Sequence, residues 1–410
     1  MTQRLERNIW RYSVFQALWI TAFFVPIVVL FWEENGLDAF DIYLLQGLYA
    51  VAVVILEVPT GMVADQIGKR TSLILGTAIL VVGFVIYAIG ASFLLFLVAE
   101  IVTALGMSLI SGADSALLYD TLATLDRKSE FRELEGRARA IQMVAFAAAC
   151  VVGGFVGEYS FRATLWLTVA GSLAGLVVAF TLVEAIPVAR RNGTAGGEPP
   201  RTYGHLLRDS LLFLRKHRLV RWYVLFLAVL SGSSTWLLWL YQPYMQWTGL
   251  PIYAFGIAFA IFNLFAAFAS RVAHRFDDRL GRRGALLGMG LLQIAPMILM
   301  AWIITPLSFL FILCHQAVRG ISRVIISDRI LRYTYADKRA TILSMGALSG
   351  RLFFAVTAPW VGWVAKVEPM PARLLFQAGL LAAFLLLLLL WYRRIPAKYF
   401  VVKESVQQRV

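Results

Sequence analysis

The chain has 410 residues, 60% of them hydrophobic and only 15% charged, too little charge to keep the surface of a soluble domain of this size wet. Its net charge of +14 would suit a nucleic-acid partner, so the location of the charge matters more than its size. Cys150 and Cys314 both lie inside apolar blocks, which excludes a disulfide framework and reads as buried packing.

Apolar blocks of about 20 residues, the length that crosses a bilayer at ~1.5 Å per residue, recur along the chain. The N-terminus carries Arg4, Glu6, Arg7 and Arg11 with no small-residue cleavage site after it, so the first block reads as a retained helix. The first six expected spans are Ile9–Phe31, Phe40–Ala64, Thr71–Gly90, Ser92–Leu122, Ala138–Gly157 and Ala163–Leu182. The last six are Trp222–Tyr244, Pro251–Ala273, Gly284–Ile304, Leu307–Thr334, Thr341–Ala365 and Ala372–Trp391. The chain thus divides into an N-terminal bundle over 1–186, a connecting loop over 187–218, a C-terminal bundle over 219–394 and a tail over 395–410. The loop is Gly- and Pro-rich at its centre and ends in a short basic amphipathic piece, Tyr203–His217.

With the N-terminus placed in the cytoplasm, 32 of the 38 Lys and Arg residues fall on that side at loops and span ends. Only Arg162, Lys366 and Arg373 fall on the opposite side, which also carries Glu33, Glu34, Asp38 and Asp41. The positive-inside rule then puts both termini in the cytoplasm of a bacterial inner membrane and accounts for the +14 with no nucleic acid. The expected partners are lipids and a small-molecule substrate, and the expected state is a monomer.

Two halves repeat. Asp65-Gln-Ile-Gly68-Lys69-Arg70 follows the second span and Asp278-Arg-Leu-Gly281-Arg282-Arg283 follows the eighth, 213 residues later. Gly36-Leu37 and Gly249-Leu250 recur at the same offset, and Asp114 to Tyr119 matches Asp328 to Tyr333 at an offset of 214. Three matches in the same topological places argue for two six-helix halves related by an axis along the membrane normal. The stretch from Gly61 through Asp65 and Gly68 to Lys69 and Arg70 resembles the signature G-x-x-x-D-x-x-G-K/R-K/R of the major facilitator superfamily. The resemblance covers the whole chain in topology and about thirteen residues in strong motif.

That resemblance implies an all-α membrane fold of twelve spans in two pseudo-symmetric bundles that transports by alternating access. It also implies that the signature cluster, with Asp120 nearby, stabilises an outward-open state. Locally, Gly61 is expected to permit close backbone approach and Gly68 a tight turn. Lys69 and Arg70 can bond Asp65 or the carbonyl end of a neighbouring helix. A plainer role, anchoring loops at the lipid headgroups, stays open.

Ionisable residues inside spans are costly unless paired or hydrated. They are Glu57, Glu100, Asp114, His315, Arg319, Arg323 and Arg351. The superfamily's outer helices, 3, 6, 9 and 12, carry none. His315, Arg319 and Arg323 recur every four residues and share one face, and Gln46, Tyr49, Val53 and Glu57 share another. We read Glu57 or Glu100 as a proton carrier and Arg319 and Arg351 as partners for a carboxylate or an acidic substrate group. Asp114 and Arg323 read as braces of the gate or snorkelling charges. His315 reads equally as a proton relay or as a side chain bonded to a nearby carbonyl. Trp236 and Trp239 could pack on an amphiphilic ligand, while Tyr241 and Tyr244 fit an interfacial belt at least as well.

Drug/proton antiporters of the superfamily often carry G-x-x-x-G-P-x-x-G-G on helix 5. Here Gly153-Gly154 remains, but Cys150 stands where the proline would be. The leading expectation is proton-coupled export of a small anionic or amphiphilic metabolite or drug. An organic-anion importer or facilitator, and a lipid flippase or non-transporting receptor, remain alternatives. No P-loop, metal-ligand cluster or nucleophile arrangement is evident, so no enzymatic activity, metal or cofactor beyond a coupling proton is expected.

Overall fold

The computed structural model describes residues 2–185, 211–335 and 338–396. Most of the connecting loop and of the C-terminal tail therefore lies outside the described residues. Among those described, the chain is helical throughout: α1 (Thr2–Trp19), α2 (Val28–Glu34), α3 (Ala39–Ile67), α4 (Lys69–Ile89), α5 (Phe93–Ile110), α6 (Ala113–Thr124), α7 (Phe131–Tyr159), α8 (Phe161–Thr181), α9 (Arg218–Trp247), α10 (Ile252–Arg271), α11 (Ala273–Trp302), α12 (Ile312–Arg332), α13 (Arg339–Val367) and α14 (Met370–Arg393). Among the described residues, eleven segments are long and apolar enough to cross a bilayer.

The expected first span is broken rather than continuous. Between α1 and α2 the backbone unwinds at 20–24 and tightens into a 3-10 turn at Val25–Ile27, where Pro26 has no N–H to give. Gly153 of α7 makes room for this turn, since a Cβ there would lie 1.8 Å from the Phe23 carbonyl oxygen. The fourth span is also two helices, α5 and α6, joined at Gly112 with φ of 83°.

The internal repeat is visible in the backbone. Gly36 and Gly249 both adopt positive φ, at 86° and 81°. After each, the next N–H reaches back five residues, Leu37 to Trp32 O at 3.0 Å and Leu250 to Met245 O at 2.9 Å, which is the helix-ending turn that glycine favours. Gly68 and Gly281, the signature glycines, pair likewise at 93° and 65°.

Two compact units divide the chain. Unit 1 is Met1–Leu37, Val51–Pro199 and Pro251–Ile261; unit 2 is Asp38–Ala50, Pro200–Leu250 and Phe262–Val410. Within unit 1, Phe15, Trp19, Leu73, Leu80, Ile110, Leu117 and Leu182 form a buried core, and α7 packs against the start of α10. A Cβ on Gly256 would lie 2.2 Å from the Cys150 carbonyl oxygen, so the two backbones touch directly. Within unit 2, the start of α3 packs on α9 and α13: the Tyr43 hydroxyl donates to Trp236 O at 2.5 Å, and Gly362 leaves room for Tyr43. Leu94, Val177 and Phe180 of unit 1, and Leu291, Val356 and Leu387 of unit 2, are exposed, as lipid-facing side chains must be.

Candidate functional site

Unit 2 encloses a cavity of about 640 Å³, within the range of small-molecule sites. Gln46 and Tyr49 of α3, Ser234 and Trp239 of α9, His315, Arg319 and Arg323 of α12, and Arg351 of α13 contribute to its wall. The four-residue spacing on α12 aims three turns at one space. Arg319 and Arg323 are accessible through the cavity. Arg319 Nη2 donates to Asn263 Oδ1 at 2.8 Å, a neutral partner. Arg323 has neither an ion pair nor a hydrogen bond among the described residues. His315 is 1% exposed, and neither ring nitrogen has a hydrogen-bond partner among the described residues. No carboxylate stands among the described residues of this wall.

Six expected site residues, Gln46, Tyr49, Trp239, His315, Arg319 and Arg351, thus meet in one cavity, and Arg323 joins them. Trp236 does not. It is fully buried and donates from Nε1 to Thr357 Oγ1 at 2.8 Å, tying α9 to α13. Tyr241 lines the cavity, and Tyr244 is buried with its hydroxyl donating to Ser308 Oγ at 2.6 Å, so neither stands in an interfacial belt.

Glu57 and Glu100 lie in unit 1. Glu57 is half-buried on α3. Glu100 of α5 is buried and accepts from the Tyr87 hydroxyl of α4 at 2.5 Å, beside Phe96, which stacks on Tyr87. Asp114 is buried too, at the start of α6 just past the Gly112 turn, where the helix terminus favours an anion. It accepts from Gln16 Nε2 at 2.7 Å and from Arg139 Nη2 at 2.9 Å. The same guanidinium holds a second carboxylate, Glu135, through Nε at 2.9 Å. Glu135 also accepts from the Tyr12 hydroxyl at 2.6 Å and from Ser115 Oγ at 2.8 Å. Two carboxylates and one guanidinium from α6 and α7 are therefore joined to α1, and Glu135 and Arg139 are residues that the sequence reading did not single out.

At the signature, Gly68 turns the chain from α3 into α4. A Cβ on Gly61 would have no atom within 4 Å among the described residues, which corrects the expected close approach. Arg70 does reach a carbonyl end, donating to Leu182 O at 2.6 Å and Phe180 O at 3.0 Å at the end of α8. The carboxylate at this corner is Glu184, which accepts from the backbone N–H of Lys69 at 2.9 Å and of Arg70 at 2.7 Å, satisfying two free donors of the α4 terminus. Asp120 is half-buried near the end of α6, and the Asp65 side chain lies outside the described residues. In the second copy Asp278 and Arg283 are exposed, Arg282 donates to the Tyr333 hydroxyl, and the neighbouring Asp277 pairs with Arg329.

The family model of the Major Facilitator Superfamily matches residues 13–352. The chain belongs to that superfamily. This superfamily transporter is 24% identical over 384 residues to the tetracycline resistance protein, class E, of Escherichia coli, covering 89% of each chain. It is 21% identical over 175 residues to the quinolone resistance protein NorA of Staphylococcus aureus, covering 43% of this chain and 44% of NorA; that match spans less than half of the relative's length. Among solved structures, the nucleoside transporter NupG aligns with a TM-score of 0.78 at 14% identity, over 95% of this chain and 98% of that one. A bacterial homologue of the human lysosomal transporter Spinster aligns at 0.72 and 14%, over 94% and 97%. These likenesses carry the fold.

Proposed function

We propose that this transporter exports a small anionic or amphiphilic organic molecule across a bacterial cytoplasmic membrane by alternating access, in exchange for protons. The observation that carries the reading is the unit 2 cavity, where Arg319 has only a neutral partner and Arg323 none among the described residues. A guanidinium facing a membrane cavity needs hydration or a substrate charge, and this cavity has the volume and the aromatic wall for an organic substrate. The names of two relatives, which speak of resistance to tetracycline and to quinolones, support the outward direction. Glu57, half-buried on α3, and Glu100, buried and bonded by the Tyr87 hydroxyl, are the proton carriers this reading offers.

The test is transport in everted vesicles. A fluorescent organic anion is expected to accumulate in vesicles that contain the chain, to discharge an imposed proton gradient as it does so, and to do neither with Arg319→Ala. Loss of the anion from preloaded everted vesicles down its own gradient, with no proton movement, would instead identify a facilitator.

A further inference from the structure

The charge on the cavity wall is unbalanced, and the imbalance specifies more than a preference for anions. Arg319 and Arg323 stand one turn apart on α12, close enough for their like charges to oppose each other. A singly charged ligand between Arg319 and Arg323 would leave positive charge unmatched where the local dielectric is low. A head with two negative charges would match both. The guanidinium fork suits a planar or tetrahedral oxyanion, which it grips with two parallel N–H donors.

A second observation, independent of the arginines, points to the same place. His315, one turn before Arg319, is 1% exposed and neither ring nitrogen is bonded among the described residues. Gln316 Oε1 beside it is also buried and without a partner among those residues. Buried polar atoms left without partners cost stability. Their persistence on the wall of a cavity marks the spot where a ligand supplies the missing partner. The volume of about 640 Å³ exceeds what an inorganic ion needs, and Tyr49, Trp239 and Phe354 offer faces to an apolar body.

Resting on the reading of the chain as an organic-anion transporter, we propose that its substrate carries a dianionic oxyacid head, a phosphate monoester or a dicarboxylate. The head seats between Arg319 and Arg323, with His315 bonded to its body just above. The body lies along Trp239 and Tyr49.

The experiment uses the purified full chain and ligands that share one phenyl body: phenyl phosphate, phenylsuccinate, benzenesulfonate and benzyl alcohol, with inorganic phosphate as the bodiless control. Binding is read by calorimetry at pH 8, where a phosphate monoester, with its second pKa near about 6, is doubly charged. At least one dianion is expected to bind about tenfold or more tighter than the sulfonate, and which dianion wins tells phosphate from dicarboxylate. Inorganic phosphate is expected to bind more weakly than phenyl phosphate. Arg323→Gln is expected to erase the preference, and Arg323→Lys, which keeps the charge but not the fork, to recover only part of it; unchanged thermal midpoints show that both variants fold. Equal binding of sulfonate and dianions would overturn the dianionic head while leaving the organic-anion reading standing. Binding of none of the anions would overturn both. A preference that survives Arg323→Gln and Arg319→Gln together would place the head elsewhere and overturn the assignment.

Discussion

Both units place arginine beside the membrane interior, and they treat it in opposite ways. In unit 1, Arg139 is held by two carboxylates, and each of those takes further donors from Tyr12, Gln16 and Ser115. In unit 2, Arg319 has one neutral amide for company, and Arg323 lines a cavity without a carboxylate among its described residues. A satisfied network rigidifies what surrounds it. An unsatisfied one is a place prepared for something else. On the function proposed above, the first set of charges serves stability and the second the cargo.

Exchanging each arginine for glutamine breaks this comparison most directly. Arg139→Gln strands two carboxylates, one of them buried, and removing one partner of a buried pair costs about 3–5 kcal/mol. Because the Arg139 side chain is 41% exposed, we expect the lower figure of about 2–3 kcal/mol, read as a fall in the thermal midpoint. Arg323→Gln removes no bond and relieves its repulsion with Arg319, so its stability is expected to stay within about 0.5 kcal/mol of the parent. Equal losses in the two variants would end the division of roles drawn here.

A smaller effect separates the units by packing. Gly256→Ala places a methyl group 2.2 Å from the Cys150 carbonyl oxygen and 3.0 Å from the Gly154 Cα. Both obstacles are backbone, so α10 must move off α7 at a cost of about 1–3 kcal/mol. At Gly346 in the unit 2 cavity wall the same methyl meets, among the described residues, only Leu227 Cδ2 at 3.5 Å, an ordinary contact. Gly346→Ala is therefore expected to leave the thermal midpoint unchanged or raise it, since alanine favours helix. A greater loss at Gly346 than at Gly256 would contradict the packing described.

Much of this could be read from the residues alone. The apolar blocks located the helices, and the repeated Gly-Leu and Asp-x-x-Gly pairs located turns that the backbone makes twice. The α12 stripe was legible because a period of four residues decides which side chains share a face, whatever packs around them. The Asp114 network was not legible, since the fifth span was expected to start at Ala138. In the structure α7 begins at Phe131, so Glu135 and Arg139 ride on a helix rather than at its edge. Glu184 escaped notice because it lies beyond the last residue of its span and acts through backbone N–H groups, which carry no sequence signal. Trp236 and Trp239 are three residues apart on one helix, and only the position of Thr357 on α13 decides that the first is a strut and the second a wall.

The smallest expected effect concerns a pair at the start of α3. Asp38 accepts from Lys366 at 2.7 Å and from the backbone N–H of Asp41 at 3.0 Å, so it both caps the helix and meets a cation. Burial alone would raise its pKa, but these donors more than offset that and hold the carboxyl below its ordinary value of 3.8. A depressed carboxyl contributes stability above its unfolded pKa and loses it as pH falls through the folded value. Asp38→Asn is thus expected to lower the thermal midpoint slightly at neutral pH and not at all once the parent's own Asp38 is protonated. With the Asp38 side chain 39% exposed, salt should shrink the difference, whereas the Arg139 deficit should persist in salt because Asp114 is enclosed. If added salt erased both deficits equally, burial would not be what distinguishes the Asp114 network from an ordinary surface pair.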